Sequence, residues 1–538
     1  MNGAEAMVEC LKKEGVSVVF GYPGAAICPF YNALSISPIR HILVRQEQNA
    51  GHAASGYARI SGKPGVCVVT SGPGATNVIT AVASAYMDSI PVVIITGQVS
   101  SELLGRDVFQ EVDITGATEP FTKHSYLVKN VEDIPRVFRE AFHIASTGRP
   151  GPVLIDMPVD IQQKQISRFE YPDSVNIAGY KPSTRGHAVQ VKRALAAIEK
   201  SKRPVICAGG GVFSSRSQKV LRRFAEKTQI PVVTTMMGIG ALPSDYPLNL
   251  GMLGSHGTKP ANTIIRETDL LILCGARVGD RAMSRPGQIA EHATIIHIDI
   301  DPAEIGKNMP AHIPIVGDLK NILTHFEEET AYHAGPEWTG RAIELKGLPA
   351  AETSPVSGYI DPKRFMELLS AAAPDDTVLV ADVGQNQIWS ANHFAVRSGR
   401  FLTSGGMGTM GYSVSAAYGA KLAAPSKTAI AVCGDGSFQM QQMELATICQ
   451  HHIDVKIIVM SNNRLGMVRE LQKNLYDNNL FGVSLDGSPD FIKLAEAYGI
   501  PSERISHMEE ADGAIRRLLS ARGVSLLECV VNPEESSL

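Results

Sequence analysis

No uninterrupted apolar run in this chain of 538 residues approaches the roughly 20 residues that a membrane-spanning helix needs, which excludes such a span. An excess of charge is missing too. Fifty Lys and Arg against 54 Asp and Glu leave a net charge of −4, so neither nucleic acid nor an anionic membrane surface is expected as a partner. The eight cysteines form no Cys-x-x-Cys pair, and Cys67, Cys207, Cys274 and Cys433 sit inside apolar runs. They read as small buried hydrophobes of a reducing compartment, without a disulfide framework or a thiolate metal site. The opening stretch MNGAEAMVECLKKEGV is a polar amphipathic helix with neither a signal-peptide core nor an Arg/Ser-rich transit composition. The expected location is the cytoplasm.

What is present is the composition of a turn-rich α/β protein: 44% hydrophobic and 19% charged residues, with 49 Gly and 31 Pro. The length suggests about three domains. From Val16 to Ile161 short apolar runs (VSVVFG, HILV, GVCVVTS, PVVIITG, GPVLIDM) alternate with helical stretches, the rhythm of a parallel sheet with helices on both faces. Aperiodic polar residues from Arg168 to Gly186 form a first linker, and Gly, Pro and Ala from His333 to Gly358 a second. The expected architecture is α/β, with three doubly wound parallel-sheet domains over 1–167, 187–332 and 359–538.

The chain is organised around residues 428–468. Ala429 to Cys433 and Val455 to Met460 read as buried parallel strands, and Phe438 to His451 as the helix between them. A right-handed crossover places both strand ends on one edge of a sheet, where open α/β sheets bind ligands. Asp435 follows the first strand and Asn462 the second, so a carboxylate and an amide oxygen converge as hard donors suited to Mg²⁺. Gly434 and Gly436 permit close approach of a phosphate, and the helix start at Ser437 and Phe438 offers N–H groups to it. A lone Gly-Asp-Gly is also an ordinary turn.

Gly-Asp-Gly followed after 25 to 30 residues by Asn-Asn, as at Gly434 and Asn462-Asn463, resembles the signature of thiamin-diphosphate enzymes. Gly434-Asp-Gly-Ser-Phe-Gln-Met, Glu444-Leu-Ala-Thr and Leu465-Gly-Met-Val are similar to the catalytic subunit of acetohydroxyacid synthase, also called acetolactate synthase. The similarity runs from Gly3 to about Glu528. It implies pyrimidine-binding, FAD-binding and diphosphate-binding domains in that order.

By position, Glu47 is a solvated carboxylate at a helix start. Its place in RQEQNAGHAASGYAR resembles the family's glutamate motif, which implies an acid that protonates N1′ of the cofactor's pyrimidine from a dry pocket. His52 reads as helix packing. The turn Thr70-Ser-Gly-Pro-Gly-Ala-Thr-Asn77 parallels the Gly434 turn, and with the resemblance it suggests that the two end domains are duplicates of one fold. The resemblance places Pro73 and Asn77 near the pyrimidine and turns Phe109 and Gln110 toward substrate, where Phe109 would otherwise read as core. Lys123-His124 falls in a similar segment. For the diphosphate end it implies Val383, Gly384, Gln385, Asn386, Gly408, Gly434, Asp435, Gly436, Ser437, Gly466, Met467 and Val468. Met410, otherwise a core methionine, becomes the wedge that bends the cofactor into a V. Mg²⁺ would take Asp435, Asn462 and the backbone oxygen of Arg464, since a guanidinium cannot coordinate a cation.

In the middle unit Gly209, Gly210 and Gly211 follow a strand, which is either a tight turn or a nucleotide loop. Arg277 and Arg281 could serve a diphosphate and Asp299 a ribose. TTMMGIGALP, GMLGSHGT, GARVGDR and HIDIDPAEIGKN resemble the family's FAD-binding domain and bring in Arg149, Thr235, Met236, Gly275, Ile300 and Asp318. FAD is implied as a mainly structural cofactor.

The implied reaction is decarboxylation of pyruvate and transfer of its hydroxyethyl unit to a second 2-oxo acid, giving 2-acetolactate. Glu47 and the cation ligands belong to different chains in this family, which implies a homodimer or homotetramer, with a possible regulatory subunit. Departures gather near the substrate: Ala25 replaces a Gly, Val159 a Lys, Asn386 a His, and Leu471 a Trp associated with 2-oxobutanoate as acceptor. Ser255 and Gly279 depart from the flavin motifs. The acceptor stays open, as do a simple 2-oxo acid decarboxylase, a flavin oxidoreductase and a non-catalytic relative.

Overall fold

The computed structural model describes residues 1–348 and 356–538. The apolar runs are too short and too rich in Val and Ile for helices, and they form three six-stranded sheets in which every pairing is parallel. The first holds Val18–Tyr22, Arg40–Leu43, Gly65–Val69, Val92–Gln98, His124–Leu127 and Val153–Pro158 (β1 to β6), ordered β2-β1-β3-β4-β6-β5. The last holds Val378–Ala381, Arg400–Leu402, Ala429–Gly434, Lys456–Ser461, Ser502–Ile505 and Ser525–Val530 (β13 to β18), ordered β14-β13-β15-β16-β18-β17. The two orders are the same, as expected of duplicated end domains. The middle sheet, Pro204–Ala208, Val232–Thr234, Asn249–Met252, Leu270–Cys274, Thr294–Asp299 and Ile313–Val316 (β7 to β12), runs β12-β11-β10-β7-β8-β9. That is the 3-2-1-4-5-6 arrangement of dinucleotide-binding sheets, reversing between β7 and β10.

The end domains share one core, while the middle domain keeps its own. The join is made by the helices Glu47–Ser61 and Ser413–Ala423, whose buried faces are Ala50, Ala53, Ala54 and Ala58 on one and Ala416, Ala417 and Ala420 on the other. Small side chains let the two backbones touch. A Cβ on Gly56 would lie 2.0 Å from the Ala416 carbonyl oxygen, and one on Gly419 would lie 2.0 Å from that of Ala53.

Two expectations change. The segment Phe438 to His451 is not one helix but two, Asp435–Gln439 and Glu444–Gln450. The break turns Gln441 inward, where its Nε2 donates to Asp382 Oδ2 (2.8 Å) and its Oε1 accepts the Val414 N–H (3.0 Å). The second linker contains a helix, Pro336–Lys346, whose Trp338 and Leu345 are buried against the middle domain; residues 349–355 lie outside the described residues. Strands β5, β14 and β17 lie at sheet edges and are too short and polar to read as apolar runs.

Gly419→Ala should cost about 1 to 3 kcal/mol of stability through overpacking, seen as a lowered denaturation midpoint. Gly340→Ala, whose added methyl meets nothing within 4 Å, should leave the midpoint unchanged or slightly raised.

Candidate active site

At the carboxyl edge of the last sheet the strand order reverses between β13 and β15, and the loops leaving these two strands face one another across a cavity of about 160 Å³. Val383, Gly384, Gln385 and Asn386 line one side and Gly434, Asp435, Gly436 and Ser437 the other; Met410, Asn462, Arg464, Gly466, Met467 and Val468 complete it. Asp435 is buried, and its Oδ2 accepts the N–H groups of Asn462 (3.0 Å) and Asn463 (2.6 Å) while Oδ1 accepts that of Gly436 (2.8 Å). Burial pushes its carboxyl up to about 6 and these N–H groups hold it down, so it is ionised at neutral pH. Asn462 donates through Nδ2 to Gln385 Oε1 (3.1 Å), and its own oxygen accepts the Arg464 N–H (3.1 Å). A Cβ on Gly466 would fall 1.8 Å from Gln385 Oε1, so a larger residue there would push the Gln385 amide off Asn462.

The helix Gly466–Leu475 begins at this cavity, and the first-turn N–H groups of Gly466, Met467 and Val468 have no acceptor within the helix. They suit the anionic end of a ligand. Asn386 donates to the carbonyls of Asp382 (2.8 Å) and Val432 (3.2 Å), which turns its Oδ1 toward Gly384 and Gly434. An acceptor oxygen therefore stands on this wall.

Met410 is set by the backbone around it. Asp382, fully buried, accepts the N–H groups of Gly411 (3.0 Å) and Ser413 (2.8 Å). Thr409 Oγ1 bonds Ser84 Oγ at 2.6 Å, Asp88 accepts from Gly405 and Gly406, and Arg59 Nη1 donates to the Thr403 carbonyl (2.7 Å) and Tyr412 OH (3.1 Å). Gly408, the other expected member of this loop, does not line the cavity.

A second cluster sits on the carboxyl edge of the first sheet. Glu47 opens its helix half-buried, and its Oε2 accepts Asn77 Nδ2 at 3.0 Å. Gln110, at φ 58°, lies against Gly72, and Phe109 is 85% exposed rather than core. Pro73 and Asn77 are exposed. None of these residues lines the Asp435 cavity of the same chain. Glu444, reaching from the last domain, accepts the Arg45 N–H (2.9 Å) and Asn49 Nδ2 (3.0 Å) and so brackets the residue that opens this helix. His52 is buried, its edge on Tyr412, and burial pushes it down to about 3. It is neutral packing, as read.

A cavity of about 480 Å³ lies between the first and middle domains, at the β7/β10 reversal. Gly210, Gly211, Thr235, Gly275, Arg277, Asp299, Ile300, Asp318 and Arg149 line it. Arg149 ties the domains together through Ser89 Oγ (2.9 Å), Asp301 (3.3 Å) and Glu304 (3.0 Å). Burial raises Asp299 to about 6 and lowers Arg277. Three expected residues stand aside. Gly209 packs on the Gly275 backbone, Met236 packs into the core of the last domain with Met237 facing the cavity instead, and Arg281 is 79% exposed beside Asp280. Asp88, Met237, Asp382, Trp389 and the bracketing role of Glu444 had no signal in the sequence, because none stands out until strands far apart in the chain are brought together.

Three family descriptions match the chain: thiamine pyrophosphate enzyme, N-terminal TPP binding domain over residues 1–117, central domain over 191–326, and C-terminal TPP binding domain over 382–529. A probable acetolactate synthase large subunit of Methanocaldococcus jannaschii is 47% identical over 100% of this chain and 93% of its own. The acetolactate synthase large subunit of Corynebacterium glutamicum is 44% identical over 96% and 84%, and the isozyme 2 large subunit of Escherichia coli 42% over 100% and 96%.

The chain has two tryptophans, and Trp389 lines the Asp435 cavity while Trp338 is buried in the middle domain. Thiamin diphosphate should therefore change the intrinsic fluorescence of the wild type, and Trp389→Phe should abolish that response.

Proposed function

Because the chain belongs to the acetolactate synthase large subunit family of thiamine pyrophosphate enzymes, we propose that it decarboxylates one pyruvate and joins the remaining two-carbon unit to a second 2-oxo acid, forming 2-acetolactate from two pyruvates. One C–C bond breaks as CO₂ leaves and one forms, with no net redox change. The observation that carries this reading is the single cavity in which two strand-end loops, an ionised carboxylate, an amide oxygen and a rigidly held Met410 converge.

Bound thiamin diphosphate supplies a carbon nucleophile and an electron sink. The chain's own groups place and protect it. The N–H groups of Gly466, Met467 and Val468 would meet the diphosphate, and Asp435, the Asn462 oxygen and the Arg464 carbonyl would offer Mg²⁺ hard oxygen donors, leaving the rest to phosphate and water. The donor set fits: the Asn462 amide is oriented by its bonds to Gln385 and Arg464, and Asp435 is charged at neutral pH. Met410 would support the cofactor from below, and Glu47 would hold a proton toward N1′ of the pyrimidine. Val468, which lines the cavity, and Leu471, three residues on along the same helix, are both over 40% exposed and would offer an aliphatic wall to the acceptor.

The inter-domain cavity suits FAD. The β7/β10 reversal, the N–H groups of the Gly210-Gly211 turn and the Arg277 guanidinium as donors, and the Asp299 carboxyl as acceptor are the features a dinucleotide needs. Its role is structural, since the carboligation moves no electrons out.

Glu47 does not reach its own chain's diphosphate cavity, so the active unit is at least a homodimer in which each chain's acid serves its partner's cofactor. A small regulatory subunit is consistent with the large-subunit names of the relatives.

Incubation with pyruvate, thiamin diphosphate and Mg²⁺ should yield 2-acetolactate; acetaldehyde as the only product would overturn the proposal. Glu47→Gln should lower kcat about 100-fold or more. Mixing inactive Glu47→Gln and Asp435→Asn chains should restore roughly a quarter of wild-type activity through mixed dimers that keep one intact site. Leu471→Trp should raise selectivity for 2-oxobutanoate over pyruvate as acceptor by about tenfold, measured in competition.

A further inference from the structure

The loop that carries Met410 is gripped by groups that also face the inter-domain cavity. Asp88 lines that cavity, and its two carboxylate oxygens accept the N–H groups of Gly405 (3.1 Å) and Gly406 (2.7 Å). Met237 lines it as well. Its sulfur lies 3.9 Å from Arg59 Nη2, on the guanidinium that donates to the Thr403 carbonyl. A Cβ placed on Gly405 would come within 2.4 Å of the same sulfur, so thioether and loop are in direct contact. Arg277, on the cavity wall, is close enough to Asp88 for each to feel the other's charge.

We propose that Asp88 and Met237 couple occupancy of the inter-domain cavity to the 403–411 loop, so that a diphosphate nucleotide in the cavity and thiamin diphosphate over Met410 strengthen one another's binding. The proposal rests on Met410 as the residue beneath the thiamin cofactor, and it gives the cavity's ligand an energetic task beyond mere presence. A ligand shifts a conformational equilibrium only by its differential affinity for the two states. Here the held loop offers the ligand Asp88 and Met237 in fixed positions. A filled cavity in turn excludes water from the far side of the Asp88 carboxylate and denies the Met237 side chain a void to swing into. Burial already raises the Asp88 carboxyl, so its hydrogen bonds to Gly405 and Gly406 lie in a medium where removing further water strengthens them. Linkage makes the two effects equal in size.

The test is calorimetric, on full-length protein stripped of nucleotide, with Mg²⁺ present. Saturating FAD should lower the Kd of thiamin diphosphate about fivefold or more, and saturating thiamin diphosphate should lower the Kd of FAD by the same factor. Asp88→Ala should bring the factor to about one while flavin fluorescence still reports FAD binding. Asp88→Asn keeps the shape and one acceptor, should retain a part of the coupling, and stands in should the alanine variant not fold. A wild-type factor of one with both ligands bound overturns the coupling, and so does an unchanged factor in Asp88→Ala. Uptake of thiamin diphosphate without any FAD removes the flavin and the coupling together. Uptake of FAD without thiamin diphosphate overturns the cofactor reading on which the proposal stands.

Discussion

Two helices rich in alanine and glycine, Glu47–Ser61 and Ser413–Ala423, cross so closely that their backbones touch at Gly56 and Gly419. Ridges of larger side chains would hold such helices 8 to 10 Å apart; methyls and hydrogens remove that spacer. The contact makes the first and last domains one packed body with a common core. It also fixes two things at once. The first helix begins at Glu47, and the second follows directly on the loop that ends at Gly411. A shift along this crossing would displace the acid and the Met410 loop together.

Around that crossing, buried and half-buried carboxylates organise backbone rather than pair with cations. Asp382, Asp88, Glu444 and Asp435 each accept two or more hydrogen bonds, mostly from N–H groups of loops that face a cavity. Burial raises the carboxyl of every one of them. Each therefore sits where desolvation works against its charge, and N–H dipoles aimed at it supply the compensation. A charge held this way costs stability on burial and returns rigidity in the loop it holds. Rigid loops are what a bent, multi-point cofactor requires.

Much of the architecture was legible because fully buried parallel strands announce themselves as apolar runs ended by Gly, Asp or Asn, as at Ala429 to Gly434 and Val92 to Gln98. Edge strands such as Ser502–Ile505 lack that signal, since one long side faces solvent. The helix break at Gln441 was hidden because its cause, Asp382, lies on another strand. The diphosphate loops were legible as glycine-bearing turns after strands, and those residues, Gly408 excepted, do surround one cavity. Of the two arginines expected at the cavity Arg277 lines it and Arg281 faces solvent, and Met236 was misplaced by one neighbour, Met237 taking the cavity position. Sequence spacing says which loop reaches a site, and the φ/ψ path of that loop decides which of its side chains enters.

The shared core of the end domains also bears on how the chain leaves the ribosome. The face of Glu47–Ser61 that carries Ala53 and Gly56 finds its cover in Ser413–Ala423, about 350 residues later. At ordinary elongation rates that is roughly 20 to 70 s of waiting, during which the middle domain, with a core of its own, can finish folding. A nascent apolar stripe left bare for so long is a natural client for a holding chaperone. Synonymous codons that slow synthesis between the two helices would lengthen that wait.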